Sequence, residues 1–216
     1  MKSMLVIGLG RFGRHLALTL SELGNEVLAM DSDEELVDEV RDGVERAQIG
    51  DCTDEDVLRE LGVDNFDCCF VCIGEDFQSA LEITAGLNEL GAKKIVAKTD
   101  SERHARLLLK IGANEIIYPE RDMARRAAVK YTSGGALEYF ELTPQYSIFE
   151  IIAPAGWIGR NVIELNIRSK YNVNIIAAKD GDRVVPVTSG DFVFREGQHI
   201  ILAGDKRTIM KLVDKR

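Results

Sequence analysis

Along the first half of the chain, short apolar runs alternate with longer segments of helical period. The runs at 4–8, 26–30, 46–49, 68–73, 94–98 and 115–118 read as strands, and the amphipathic stretches at 11–23, 33–41, 54–61, 76–90 and 101–111 read as helices. Gly24, Gly62, Gly91 and Gly112 each follow one of these stretches, where a helix ends readily in a left-handed residue. Six strands joined by crossover helices predict an α/β fold with a doubly wound parallel sheet.

After residue 118 the pattern changes. Residues 120–131 read as one more helix, interrupted by Thr-Ser-Gly-Gly at 132–135. The strands that follow are β-branched and alternating: SIFEIIAP, VNIIAAKDGDRVVPV and HIILAGD. Asp-Gly within 179–183 is a hairpin signal, one short helix follows Asn161, and another closes the chain from Lys206. These features divide the chain into domains 1–136 and 137–216. The second is a small α+β unit of about eighty residues, too small for the substrate half of a typical enzyme.

Composition narrows the function. The 216 residues are 45% hydrophobic and 29% charged, as expected of a globular protein with a real core. A net charge of −9 argues against binding a nucleic-acid polymer, which needs clustered Lys and Arg. Met1 leads almost directly into a strand, so no signal peptide is expected. No apolar stretch approaches the roughly 20 residues that span a bilayer, so a membrane role would run through a partner. Cys52, Cys68, Cys69 and Cys72 suit a reducing cytoplasm. Cys69 and Cys72 form a C-x-x-C, but DCCFVCIG reads better as a buried strand, and no second pair or nearby His completes a zinc site.

Candidate chemistry begins at Gly8-Leu9-Gly10-Arg11-Phe12-Gly13, which follows a strand and opens a helix. In that context the first glycine allows the tight turn, the second admits a phosphate and the third lets helix pack on strand, giving a Rossmann-type nucleotide site. Asp31, 23 residues after Gly8 at the end of the second strand, is placed to accept ribose hydroxyls, and it favours NAD or an adenosine nucleotide over NADP. Arg11 opposes the helix dipole unless an anion sits there; it is either a solvated surface residue or a phosphate contact. Asp51 could reach a base or ribose edge, or cap the next helix. Gly74 and Glu75 close the fourth strand at the same crevice.

A hydride-transfer enzyme also needs an acid–base group. No tyrosine is followed four residues later by lysine, and His15, His104 and His199 are scattered. A small NAD-dependent oxidoreductase therefore stands as the alternative, not the leading reading. An NAD-sensing repressor would need a basic DNA-binding element that this acidic chain lacks.

The segments VIGLGRFG, LAMDSDEE, IGDCTDEDVL, VCIGEDFQSAL, IVAKT, KIGANEIIYPERDMARRAA and LNIRSKYNVNIIA resemble the RCK (regulator of K+ conductance) subunits of bacterial Ktr/Trk potassium-uptake systems. The resemblance runs over nearly the whole chain. It implies a non-enzymatic cytoplasmic regulator at the inner face of the cell membrane, with a Rossmann domain joined to a C-terminal RCK domain. Homodimers would assemble into an octameric ring beneath a membrane K+ channel or transporter, and exchange of ATP/ADP or NAD(H) would change dimer shape.

By position, the resemblance implies that Gly8, Gly10 and Gly13 cradle phosphates and that Asp31 holds the ribose. Asp51 and Cys52 would lie near the base, with Phe12, Ser32, Ile73, Gly74 and Glu75 completing the site. Arg11 matches a phosphate sensor acting between subunits, and Lys98 and Arg121 match lesser phosphate or interface contacts. Glu120 matches a glutamate that helps hold Mg2+ or Ca2+ at the dimer interface, although an acid just after Pro119 also suits a helix start. Arg168, Asn174, Ile175 and Pro186 would contact cyclic di-AMP across a two-fold axis. Asn172 stands where the family often has Gly; asparagine also tolerates left-handed turns.

Overall fold

The computed structural model describes residues 1–74, 76–132, 136–181 and 183–213. The chain divides into two compact units, 1–121 and 122–216. The first contains β1 (Ser3–Ile7), α1 (Arg11–Glu22), β2 (Glu26–Asp31), α2 (Glu34–Asp38), β3 (Arg46–Ile49), α3 (Glu55–Leu61), β4 (Cys68–Val71), α4 (Phe77–Glu89), β5 (Ile95–Lys98), α5 (Glu102–Ile111) and β6 (Glu115–Ile117). All its strand pairs are parallel, giving the doubly wound sheet anticipated from the alternation, and the strands lie in the order β3-β2-β1-β4-β5-β6.

Because helices cover both faces of this sheet, its central strands are apolar throughout rather than alternating. Leu5, Ile7, Leu28 and Met30 pack in one core, and Met4, Val6, Val27 and Ala29 in the other. The same division settles the C-x-x-C: Cys69 lies in the first core and Cys72 in the second, on opposite faces of the sheet. Two thiols so placed do not converge on one ion. Burial also pushes the thiols up, Cys68 to about 11 and Cys52, Cys69 and Cys72 to about 12, so they act as small apolar side chains.

Helix α6 (Pro119–Thr132) starts in the first unit and continues into the second. The sequence places a domain boundary at 136/137, whereas the compact units meet at 121/122. The physical reason is the far end of α6: Val129 packs in the second unit's core, and Arg126 and Lys130 hydrogen-bond Glu138 at 3.0 and 2.7 Å.

The second unit contains β7 (Ala136–Glu141), β8 (Tyr146–Ile152), α7 (Val162–Leu165), α8 (Ile167–Tyr171), β9 (Val173–Asp180), β10 (Arg183–Pro186), β11 (His199–Asp205) and α9 (Lys206–Val213). Its strands form an antiparallel sheet in the order β10-β9-β11-β8-β7. Phe149, Ile151, Ile200 and Leu202 share its core with Ile209 and Leu212 of α9. Strand β7 was not anticipated, because six residues directly after a glycine pair carry too little periodicity. It forms through pairing with β8, and Tyr139 packs on Phe149 with ring centroids 4.9 Å apart. The expected hairpin joins β9 to β10, with Asp180 opposite Arg183 and Gly181 at φ +58; Asp182 lies outside the described residues. Strand β10 ends the sheet and is exposed along its length. Among the described residues no helix is long and apolar enough to cross a membrane.

Candidate functional site

In a doubly wound sheet, ligands sit outside the C-terminal ends of the strands where the strand order reverses, here between β1 and β4. A crevice of about 360 Å³ opens there. Gly8 has φ +91, and a Cβ on it would stand 3.0–3.1 Å from Ile73 and the Cys72 backbone, so only glycine fits. A Cβ on Gly13 would fall 1.8 Å from the Gly8 carbonyl oxygen, the mark of α1 seated directly on the loop. Around Gly10 nothing lies within 4 Å of the Cβ position, so the backbone is open to an approaching group.

What that group would meet follows from how the helices begin. Helices α2, α3, α4 and α5 are capped by the side chains of Asp33, Asp54, Asp76 and Ser101. Helix α1 begins at Gly10 with no side-chain cap and no acid in its first turn. The first N–H groups of a helix have no intrahelical partner, and the dipole adds partial positive charge. The loop therefore fits an anion such as a phosphate.

Asp31 ties the loop to β2. Its carboxylate accepts the Leu9 N–H at 2.6 Å and the Asp33 N–H at 3.0 Å. Asp51 does not cap α3; that residue is Asp54. Asp51 instead accepts the Thr53 hydroxyl at 2.7 Å and the Thr53 N–H at 2.9 Å, and these bonds hold its carboxyl below the usual range. Gly8, Gly10, Asp31, Ser32, Asp51, Cys52, Ile73 and Gly74 all line the crevice. Glu75 lies outside the described residues. Phe12 packs against the core beneath the loop, and Arg11 is exposed at the first position of α1.

Lys98 does not itself line the crevice but packs behind one residue that does, Gly74. Its Nζ lies 3.0 Å from the Cβ position of Gly74 and 3.3 Å from Glu120 in the first turn of α6. The Glu120 carboxyl is held below its ordinary value by its own backbone N–H, then by Lys98 and the charge of Arg11. One carboxylate flanked by two cations does not fit a divalent metal within a single chain, and the described residues contain no group of three or more potential ligands. Arg121 is engaged elsewhere: it bonds Glu102 at 2.6 Å and lies 3.5 Å over the Tyr118 ring, and it does not line the crevice.

Residues 4–119 match the TrkA-N domain and residues 146–215 the TrkA-C domain. The chain is 42% identical over 210 residues to Ktr system potassium uptake protein C of Bacillus subtilis, covering 97% of this chain and 95% of that protein. The chain belongs to the TrkA-N/TrkA-C family of potassium uptake proteins. Ktr system potassium uptake protein A of the same organism is 35% identical with the same coverage. Among solved structures, the GsuK channel bound to NAD superposes with a TM-score of 0.68 at 18% identity; the match covers all of this chain and 40% of that one. The TrkA-N domain of Escherichia coli ybaL superposes with a TM-score of 0.53 at 23% identity, covering 60% of this chain and 96% of that one. These two likenesses establish the fold.

The TrkA-C unit carries its own pocket, of about 450 Å³, between α7–α8, β9 and the segment after β10. Arg168, Asn174 and Ile175 all line it, and Arg168 Nε donates to Asn174 Oδ1 at 2.8 Å. Pro186 lies on β10, one residue before the lining residue Val187, and does not itself line the pocket. Asn172 adopts φ +53 at the end of α8, the left-handed turn that explains why asparagine serves where glycine is common. Leu36 and Ile83 close the walls of the TrkA-N crevice and were missed from the sequence, because an apolar residue on a helix reads as core. Thr53 was also missed; its signal is the Asp-x-Thr spacing of a side-chain turn.

Proposed function

We propose that this chain is the cytoplasmic nucleotide-sensing regulatory subunit of a Ktr-type potassium uptake system, acting at the inner face of the membrane through a separate K+ channel or transporter. The observation that carries this reading is the uncapped α1 terminus at Gly10, open to a phosphate and set beside Asp31 in the crevice. Relatives of matching length are potassium uptake proteins, which favours a switch over an oxidoreductase.

The ligand is ATP/ADP or NAD(H). The adenosine ribose sits on Asp31, the base lies toward Asp51 and Cys52, and the phosphates sit on the glycine loop. The subunit works as a homodimer assembled into an octameric ring, and nucleotides act by preferring one dimer shape over another. Only unequal affinity for the two shapes shifts such an equilibrium. Arg11, exposed beside the loop, is the contact that reads the phosphates of a neighbouring copy. A divalent cation at Glu120 would need carboxylates or phosphates from outside the single chain. The Arg168–Asn174 pocket takes cyclic di-AMP, its polar pair facing the ligand across a two-fold axis.

The test joins binding to transport. Calorimetric titration with ATP, ADP and NADH, followed by K+ flux in vesicles holding the membrane partner, measures both arms. Arg11→Ala flattens the ATP-over-ADP difference in binding and flux; an unchanged difference removes Arg11 from this role. Turnover of NADH with a panel of carbonyl substrates would restore the oxidoreductase reading.

A further inference from the structure

The segment between β10 and β11 builds a groove in the TrkA-C unit that belongs to neither site described above. Isolated bridges pin this segment, Phe194 to Ile158 and Val193 to Asn161, and Phe192 meets Phe194 edge-on with ring centroids 5.4 Å apart. Phe194 is fully buried, so the wall it supports is held by the core. Against Phe192 and Val193, Ala178 of β9 and Val185 of β10 close a space of about 300 Å³, completed by Arg195 and Gln198. None of these residues lines the pocket around Arg168 or the crevice at the glycine loop. Gln198 Oε1 accepts the Arg195 N–H at 3.2 Å, which fixes the amide and leaves its Nε2 hydrogens for another acceptor. Lys179 and His199 line an adjoining cavity with Arg195, but Glu150 already engages both, at 3.5 and 2.7 Å. Among the described residues the Arg195 guanidinium has no hydrogen-bond or ion-pair partner.

We infer that this groove is a binding site for a small carboxylate with an apolar tail. The tail lies among Ala178, Val185, Phe192 and Val193, and the carboxylate meets Arg195 and Gln198 at the rim. A planar guanidinium offers a carboxylate two parallel N–H donors, and the Gln198 amide supplies one more. One unpartnered cation matches a singly charged head better than a phosphate dianion. The tail supplies the driving force, because Val185 and Val193 are 39% and 47% exposed and a ligand between them removes both from water. Concave apolar walls with a few converging polar groups are the usual form of a small-molecule site. The groove lies wholly within the second compact unit, so it stands or falls independently of the nucleotide reading.

Arg195 is exposed, so solvent screens its share and the affinity is modest, with a Kd of roughly 0.1–1 mM. The test is saturation-transfer NMR and calorimetry on the full-length protein, with 4-methylpentanoate as the probe. Acetate and 4-methylpentan-1-ol serve as its counterparts without tail and without charge, and each binds about 10-fold more weakly or worse. Arg195→Gln weakens 4-methylpentanoate about 3- to 10-fold and leaves the alcohol unchanged, a split that a structural role for Arg195 would not produce. Val193→Glu, which puts a second carboxylate beside the first, abolishes binding of the acid, and Arg168→Ala changes nothing. Titration with L-leucine separates two sources of the same chemistry. Binding as tight as that of the plain acid identifies a free amino acid, and weaker binding identifies an acid without an ammonium group. No saturation transfer at about 10 mM probe, equal affinity for acid and alcohol, or an Arg195→Gln protein that binds the acid as wild type does overturns the inference.

Discussion

The two pockets of this chain are polar for different reasons. The TrkA-N crevice is made of main chain: an uncapped helix start, a glycine with φ +91, and a carboxylate spent partly on backbone N–H groups. The TrkA-C pocket is made of side chains, with Arg168 and Asn174 bonded to each other. A main-chain site is as rigid as the sheet that carries it and suffers from any added atom. A side-chain site tolerates substitution structurally, and its ligand must compete with a bond already made. Substitutions where the first site is packed should therefore damage it through the fold, whereas those in the second should act through recognition alone.

The strongest way to break that contrast is Gly13→Ala. A methyl group 1.8 Å from a carbonyl oxygen must push α1 off the loop. The expected cost is about 3 kcal/mol, with a drop in Tm of roughly 6–12 °C and loss of nucleotide binding. Gly10→Ala is its control, since its Cβ meets nothing and its φ of −56 suits alanine. Tm should hold within about 2 °C while nucleotide affinity falls more than ~10-fold, measured by thermal melts and calorimetry. A Gly13→Ala protein with wild-type Tm would show that the loop is not rigid.

Asp31→Ala comes next. It orphans the Leu9 and Asp33 N–H groups and should cost about 2 kcal/mol in chemical denaturation as well as abolishing ribose-dependent binding. Arg168→Ala, at an exposed side chain, should change stability by less than ~0.5 kcal/mol. It should lower affinity for cyclic di-AMP about 10-fold in the same titrations and leave ATP binding unchanged. A stability loss as large as that of Asp31→Ala would erase the distinction between the two sites.

The smallest effect is a pH limb confined to the TrkA-N unit, which holds all four cysteines. Their folded values near 11 to 12 lie above the ordinary 9.0, so the folded state keeps protons that the unfolded chain releases. Their contribution is complete below about pH 9 and is lost as pH rises through 9 to 12. Substituting alanine for Cys52 should flatten part of that alkaline decline in denaturation midpoints. A colorimetric thiol reagent at pH 8 should label the cysteines only after denaturant is added.

How much of this was legible in the sequence varies with the kind of force involved. The parallel sheet was readable because six apolar runs, separated by helices ending in glycine, leave few other arrangements. The glycine loop and Asp31 were readable because close approach to backbone demands particular residues at particular spacings. Strand β7 was not, since its identity comes from pairing with β8. Nor was the engagement of Arg121 by Glu102 and Tyr118, partners that lie 19 and three residues away and meet only in the fold. The position of α6 was similarly hidden. Its helical period shows in the sequence, but the allegiance of its far end is set by Val129, Arg126 and Lys130 finding the second unit.

Strand β10 has a consequence for how this protein behaves when concentrated. It ends the five-stranded sheet with Val184 and Val185 exposed, the kind of open edge on which chains stack into aggregates. The Val187 N–H bonds Ile176 across to β9, so by alternation the backbone nitrogen of Pro186 faces the free edge. Proline has no hydrogen there to offer. The edge is one donor short, and a chain arriving to extend the sheet would find its ladder interrupted at Pro186.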